Sequence, residues 1–383
     1  MTRLHFNVDR QARNSKARAG RLKTLHGEVR TPVFMPVGTQ ATVRGVPVDA
    51  LRATGSSVLL ANTYHLLLRP GPEVFRKFGG IHRFMNWQGP VLTDSGGFQI
   101  FSLEPKVDEA GATFQSTYDG SYHHLGPEQA VEVQALLGAD IQMALDVCPG
   151  LPAPDEVILA ATERTHRWAD RARRRWRELG EQGGVLPDHQ EQFGIVQGGI
   201  DPALRRRSAA AITGIGFDGY ALGGLSVGES RDEMVPAIAA ATELLPADQP
   251  RYLMGVGDPA GLIEGVANGI DLFDCVLPTR LARHGTVLTD AGRLNLRNAR
   301  HATDDGPLDP DAACPLTSRY SRAYLRHLLS VHELTAMRIL TLHNLWWLAR
   351  LMERARTAIV EGRYGAFRDD VLAVWGGTNV RRP

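Results

Sequence analysis

A chain of 383 residues with 43% apolar and 22% charged content has the make-up of a soluble globular enzyme, one large domain with room for a small appendage. The formal charge of +1 excludes no class of partner, because a local basic patch can hide in a balanced total. Three cysteines (Cys148, Cys275 and Cys314) exclude a disulfide framework and fit a reducing cytoplasm. No apolar run approaches the roughly 20 residues of a membrane helix. The opening Met1-Thr2-Arg3-Leu4-His5-Phe6 has no apolar signal core, so a cytoplasmic protein is expected.

Along the chain, apolar segments of strand length alternate with helical stretches or long loops. The first strand is predicted at 33–37, ending on Gly38-Thr39-Gln40, with a helix at 48–54. The second, 57–61, ends on Asn62-Thr63-Tyr64-His65, and the third, 91–93, on Asp94-Ser95-Gly96-Gly97. Residues 103–124, rich in Gly, Ser and Tyr, read as an inserted loop or hairpin before a helix at 127–137. The fourth strand, 141–145, leads to Asp146 and a long helix at 155–179. Strand 193–196 runs into Gln197-Gly198-Gly199 and a helix at 202–212; strand 220–222 runs into Gly223-Gly224 and a helix at 232–244. Strand 252–254 meets Gly255-Val256-Gly257 and a helix at 259–267, and strand 270–273 ends on Asp274. This α/β alternation implies a parallel sheet, and eight units imply a (β/α)8 TIM barrel. A hairpin follows over 285–297, turning at Asp290-Ala291-Gly292; a loop over 301–317 then leads to helices at 320–329 and 342–358. The expected division is a barrel core over 1–281, carrying the 103–124 insertion, and a subdomain over 282–383 that packs on the barrel and completes it.

Polar residues and glycines thus gather at the carboxyl ends of the strands, where barrel enzymes keep their chemistry. Turn residues end strands in any fold, which accounts for any one glycine pair. It accounts less well for Asp, Asn and Gln recurring there without basic neighbours. Two carboxylates facing one sugar carbon can cut a glycosidic bond through a covalent intermediate, one as nucleophile and the other as acid and base. Taken singly, Asp94 also reads as an Asx-turn residue and Asp274 as a capping or salt-bridged one.

Seven strings carry a family resemblance. They are Thr31-Pro32-Val33-Phe34-Met35-Pro36-Val37-Gly38-Thr39, Asn62-Thr63-Tyr64-His65-Leu66, Asp94-Ser95-Gly96-Gly97-Phe98-Gln99, Val196-Gln197-Gly198-Gly199, Gly223-Gly224-Leu225-Ser226-Val227-Gly228-Glu229, Tyr252-Leu253-Met254-Gly255-Val256-Gly257 and Phe273-Asp274-Cys275-Val276-Leu277-Pro278-Thr279-Arg280. In these the chain closely resembles the tRNA-guanine transglycosylases, the bacterial branch in particular. The resemblance implies exchange of guanine at the wobble position of tRNAs with GUN anticodons (Asp, Asn, His, Tyr) for a 7-deazaguanine, preQ1 in bacteria, on the route to queuosine. No cofactor is implied for the chemistry.

By the same resemblance Asp274 is the nucleophile at C1′, and Asp94 protonates the departing guanine and later deprotonates its replacement. Ser95, Gly96, Gly97, Phe98, Asp146, Gln197, Gly224, Leu225, Met254 and Glu229 answer to the base-binding group, with Ser226 beside them. Gly255, Val256, Gly257, Asp258, Pro259, Ala260 and Gly261, with Thr279, Arg280, Leu281, Ala282 and Arg283, answer to segments that touch RNA. Exchange requires the target nucleotide to be turned out of its loop, so the anticodon arm must be held. Arg280, Arg283, Arg293, Arg297 and Arg300 stand against a single acid, Asp290, a density that suits phosphates. The competing basic run Arg171-Ala172-Arg173-Arg174-Arg175, with Glu178 and Glu181 nearby, reads as a solvated helix face.

The chain departs from the family at two places. Asp146-Val147-Cys148 replaces Asp-Glu-Cys, a change expected to alter packing. The family's structural zinc is held by Cys-x-Cys-x2-Cys and a histidine, and the aligned positions here are Ala312, Cys314, Thr317 and His343. Structural zinc sites are four-coordinate, so a zinc-free protein is expected, with the loop held by packing that involves Trp346 and Trp347; Asp309, Asp311 and His301 stand by as alternative ligands. The resemblance also implies a homodimer with contacts near this segment. A non-catalytic RNA-binding homologue or partner subunit, and a transglycosylase with another nucleic-acid target, remain as alternatives. So do preQ0 and queuine as the incoming base, although Cys148 and Ser226-Val227 favour preQ1.

Overall fold

The structure, a computed structural model, describes residues 4–183 and 190–377. Met1, Thr2 and Arg3 of the opening hexamer, and the last residues of the 282–383 segment, lie outside them. Eight parallel strands close into a barrel in chain order: β1 (Val33–Gly38), β2 (Leu59–Ala61), β3 (Val91–Thr93), β4 (Ile141–Met143), β5 (Glu191–Val196), β6 (Gly219–Leu222), β7 (Arg251–Leu253) and β8 (Leu272–Cys275). The seam pairs β8 with β1, Leu272 against Val33 and Asp274 against Met35. Each strand is buried on both faces, which is why it reads as a short continuous apolar run rather than an alternating one. Inward side chains such as Met35, Leu92, Met143, Ile195 and Leu272 fill the barrel, while Phe34, Val91 and Phe273 face the surrounding helices.

The predicted helices at 127–137 and 259–267 form over Pro127–Leu137 and Pro259–Ala267, and the one at 155–179 extends to Asp155–Gln182. Sequence periodicity gave no sign of an amino-terminal meander of three antiparallel strands, His5–Gln11, Arg18–Thr24 and Gly27–Thr31. Its Leu22 and Val29 plug the amino-terminal end of the barrel. The 103–124 insertion is a three-stranded antiparallel sheet, Lys106–Val107, Ala112–Gln115 and Tyr122–Leu125. At its tip the Tyr118 hydroxyl bonds Gln40 at 2.7 Å and His65 at 2.8 Å, seating the hairpin on the barrel rim.

Beyond β8, a hairpin (Thr286–Thr289 with Gly292–Asn295) precedes helices Arg322–Ser330, Leu334–Val360 and Tyr364–Trp375. The 27-residue helix is no appendage. Its Leu348, Leu351, Met352 and Ala355 share one core with Phe34 of β1 and Phe273 of β8. From its last turns Arg356 donates to the carbonyls of Gly20 (2.6 Å) and Thr31 (2.7 Å) and pairs with Asp9 at 2.9 Å. No helix among the described residues is long and apolar enough to cross a membrane.

Three aspartates stand immediately before β4, β6 and β8 at the base of the barrel. Each caps a backbone N–H of a neighbouring strand: Asp140 that of Val91, Asp218 that of Gln192 and Asp271 that of Arg251. Each also has a basic partner. His26 and His82 flank Asp140 at 2.8 and 2.9 Å, Arg173 pairs with Asp218 at 2.9 Å, and Arg18 pairs with Asp271 at 2.5 Å. Burial opposes the charge on Asp140, but the hydrogen bonds from the two histidines outweigh it and hold the carboxyl below the usual range.

Candidate active site

At the opposite end of the barrel the strand ends enclose a cavity of ≈ 420 Å³. Asp94, Asp146 and Asp274 all line it, delivered by the ends of β3, β4 and β8. Ser95, Gly96, Phe98, Gly224, Leu225, Met254 and Glu229 share the wall, and Gly255, Gly257, Asp258 and Arg280 the rim toward β7 and β8. The size suits a flat bicyclic base with part of its sugar.

Asp94 is buried and surrounded by donors. Its Oδ1 accepts from the backbone N–H of Thr63 (2.7 Å) and Gly96 (3.2 Å), and its Oδ2 from Asn62 Nδ2 (2.5 Å) and Gln99 Nε2 (3.0 Å). Burial nonetheless wins over these bonds, the charge of Asp274 adds to it, and the carboxyl rises to about 6. A carboxyl near 6 can give and take a proton at neutral pH.

Asp274 is held on one oxygen. Oδ1 accepts the Tyr252 hydroxyl at 2.6 Å and the Gly255 N–H at 2.8 Å, and no hydrogen bond from the described residues falls on Oδ2. Burial raises this carboxyl too, against both bonds. A carboxylate pinned on one oxygen and open on the other has the geometry of a nucleophile.

Asp146 accepts Ser95 Oγ at 3.0 Å and Gln197 Nε2 at 2.6 Å, and burial raises its carboxyl as well. Gln197 does not line the cavity; it lies behind Asp146 and orients it. Its Oε1 abuts the Gly224 Cα, where an added Cβ would come within 2.2 Å, and Gly224 sits at φ +65°, so only glycine fits. Gly97, which is not on the wall either, is packed so that a Cβ would meet Asp146 at 2.9 Å.

Glu229 sits beneath the next loop and accepts the N–H groups of Ser226, Val227 (3.0 Å) and Gly228 (3.2 Å). With the Leu225–Ser226 N–H turned to Glu229, the Leu225 carbonyl of that planar peptide points the opposite way, and both residues line the cavity.

Several residues that the motifs did not assign hold this arrangement. Asn62 and Gln99 grip Asp94, and Tyr252 grips Asp274. Arg205 is fully buried in the helix Pro202–Ile215, and its guanidinium donates to the carbonyls of Gly199 (2.8 Å), Val196 (2.8 Å) and Gly224 (3.4 Å). It therefore ties the end of β5 to the end of β6 behind the cavity. The sequence does not single it out, since the run Arg205-Arg206-Arg207 near the start of a helix reads as a charged surface.

The rim is basic on one side. Arg280 lines the cavity, and Arg283 loses affinity for its proton through burial and through the nearby Arg44 and Arg280. Arg44, exposed on the loop after β1, escaped the sequence reading because its neighbours come together only in space. Arg293, Arg297 and Arg300 are exposed on the hairpin side. Asp290 turns to Arg350 and Arg354 instead. Of the segments expected to touch RNA, Val256, Pro259, Ala260, Gly261, Thr279 and Ala282 are buried. They support the surface that Gly255, Asp258, Arg280, Leu281 and Arg283 present. The competing run on the long helix is bound to acids: Arg171 to Glu128, Arg174 to Asp170, Arg175 to Glu132 and Glu178. Arg173 is buried on Asp218 rather than solvated, as the sequence reading had it.

Residues 13–376 match the sequence profile of the family described as queuine tRNA-ribosyltransferase. Among similar proteins, the queuine tRNA-ribosyltransferase of Pelotomaculum thermopropionicum is 51% identical over 376 residues, 97% of this chain and 99% of its own length. That of Novosphingobium aromaticivorans is 50% identical over 97% of this chain and 98% of its own, and that of Moorella thermoacetica 51% over 95% of each.

Proposed function

Because the chain belongs to the queuine tRNA-ribosyltransferase family and so carries out tRNA-guanine transglycosylation in the queuosine pathway, we propose that Asp274 and Asp94 do this by double displacement, with preQ1 as the incoming base. One observation carries the reading: both carboxylates reach a single base-sized cavity, one open on an oxygen and the other poised to exchange a proton near pH 6. Asp274 Oδ2 bonds to C1′ as the bond from C1′ to guanine N9 breaks, and Asp94 gives its proton to the departing base. The incoming base then attacks C1′ through N9, the ester bond to Asp274 breaks, and Asp94 takes the N9 proton. Two inversions restore the original configuration.

Asp146 accepts from the N1–H and exocyclic amine edge that guanine and preQ1 share. The Leu225 carbonyl, directed by Glu229, accepts from the cationic aminomethyl arm that preQ1 has and guanine lacks. The GUN-anticodon arm lies along Arg44, Arg280 and Arg283. A homodimer is supported by apolar side chains left at the surface of the carboxyl-terminal segment, Tyr324, Val331 and Leu334, and by Phe78 and Phe84. Light scattering at micromolar concentration tests that assembly.

Incubation with labelled guanine and unmodified tRNA of the Asn, Asp, His or Tyr type tests the exchange. Label is expected in the tRNA and chased out by preQ1. A protein that binds tRNA and incorporates no label is a non-catalytic homologue.

A further inference from the structure

The zinc of the family does not fit the residues at its position in this chain. Ala312 offers no donor atom, and Thr317 offers only a hydroxyl. The decisive residue is His343, fully buried with both ring nitrogens already engaged. Nε2 lies 2.9 Å from the Leu288 carbonyl, which can only accept, so Nε2 carries the ring proton. Nδ1 is then the acceptor, and the Thr317 hydroxyl donates to it at 3.2 Å. A metal on Nδ1 would have to displace that hydroxyl and would find one thiolate, Cys314, within the motif.

Two of the alternative ligands are engaged elsewhere, and the third, Asp311, is exposed. His301 Nδ1 bonds Asp304 at 2.9 Å, and Asp309 caps the N–H groups of Asp290 (2.8 Å) and Asp311 (3.1 Å). Among the described residues, three ligand atoms of His, Cys, Asp or Glu converge within 4.8 Å only at His26, His82 and Asp140, at the base of the barrel. That group is a poor cage, because its imidazoles stack 3.6 Å apart at 12° and their in-plane lone pairs run side by side instead of meeting at one ion.

We propose that a metal-free clasp, running from the Thr317 hydroxyl through the His343 imidazole to the Leu288 carbonyl, replaces the structural metal in this chain. It joins three segments: the loop before Arg322–Ser330, the long helix Leu334–Val360, and the hairpin strand Thr286–Thr289. The neighbouring Asn344 completes the grip. Its Oδ1 accepts the Leu288 N–H at 2.9 Å, and its Nδ2 donates to the carbonyls of Pro278 (3.0 Å) and Thr286 (3.2 Å). Two consecutive helix residues thus take both backbone groups of Leu288 and reach the short helix Leu277–Arg283 that carries Arg280 and Arg283.

The full chain, purified without added zinc, is the material for the test, whose readouts do not depend on base exchange. Elemental analysis is expected to find zinc far below one equivalent, and a strong chelator to leave Tm unchanged. Thr317→Val, which keeps shape and removes the hydroxyl, is expected to lower Tm by about 1–4 °C, with Thr317→Ser recovering part of the loss. The double variant Ala312→Cys/Thr317→Cys supplies two thiols in register with Cys314 and His343; it is expected to take up one zinc and become chelator-sensitive. One equivalent of zinc in the natural chain, removed by the chelator with loss of Tm, would overturn the clasp. So would a Thr317→Val protein that melts with the wild type.

Discussion

The two ends of the barrel hold the same residue type in opposite electrostatic settings. At the base, Asp140, Asp218 and Asp271 each have a His or Arg within 3 Å and each cap a strand N–H. At the rim, Asp94, Asp146 and Asp274 are met by amides and hydroxyls and, among the described residues, by no cation in hydrogen-bonding contact. A buried carboxylate with a basic partner is a fixed anion that holds the fold together. Burial raises the carboxyl of Asp271 at the base as it raises the three at the rim, but a carboxylate met only by neutral donors has no counter-charge fixing it and can exchange protons or attack carbon. Burial alone does not separate the two roles; the partner does.

The sharpest way to break this contrast lies within one strand end. Asp274→Asn is expected to abolish the covalent tRNA adduct and lower exchange by ~10⁴-fold or more, with Tm unchanged or raised. Asp271→Asn, three residues earlier, is expected to cost about 3–5 kcal/mol of stability by stranding Arg18, and to leave the folded fraction active. An adduct that survives in Asp274→Asn would unseat the nucleophile. Thermal melts beside adduct gels check both.

Next in size is the pH response of Asp94. With its folded pKa raised from the ordinary 3.8 to about 6, the folded form holds its proton more tightly than the unfolded chain does. Stability from that group is present below about pH 3.8 and is lost as pH rises through about 6, a cost of about 3 kcal/mol at neutrality. Asp94→Asn is therefore expected to raise Tm at pH 7.5 while abolishing exchange, with no gain near pH 3.5. Single-turnover adduct formation in the wild type is expected to fall toward tenfold per pH unit above about pH 6.5, as the proton donor is depleted. A flat rate between pH 5 and 8 would remove Asp94 from that role.

Arg205 sharpens the contrast from the other side, as a buried cation serving the rim through carbonyls instead of carboxylates. Arg205→Met is expected to raise KM for the base about tenfold without a matching change in KM for tRNA, and Arg205→Lys to recover part of it. Parallel changes in both constants would mark it as merely structural. The smallest effect belongs to the basic rim. Arg280→Ala or Arg283→Ala should weaken tRNA binding and reduce the salt slope by about one, measured by filter binding across salt concentrations.

How much of this was legible in the sequence follows the same division. The rim residues come in strings because each strand end contributes a contiguous turn, so Asp94, Asp146, Gln197 and Asp274 could be named from the chain alone. The residues that hold them could not. Asn62 lies 32 positions from Asp94, and Tyr252 lies 22 from Asp274. Arg44 carries no local pattern, and Arg205 is hidden in the basic run Arg205-Arg206-Arg207, whose other two members pair with Glu243 and Glu163 at the surface. The strands were readable from short apolar runs, yet the amino-terminal meander was not, because its strands are amphipathic only in part and His5–Gln11 is mostly exposed. The 103–124 insertion read as a loop or hairpin without placed strands, because strands of two and four residues fall below any periodicity.

Arg356 bears on the order in which the molecule can be built. It reaches from the long helix to carbonyls of the amino-terminal meander, Gly20 and Thr31, across more than three hundred positions. While the polypeptide is still emerging from the ribosome, the seam between β8 and β1 has no long helix to cover it, and that flank of the barrel stays open to water. Closure therefore waits for the helix Leu334–Val360 to be made, and a chain truncated before Arg356 is expected to have its motifs present and its barrel unsealed.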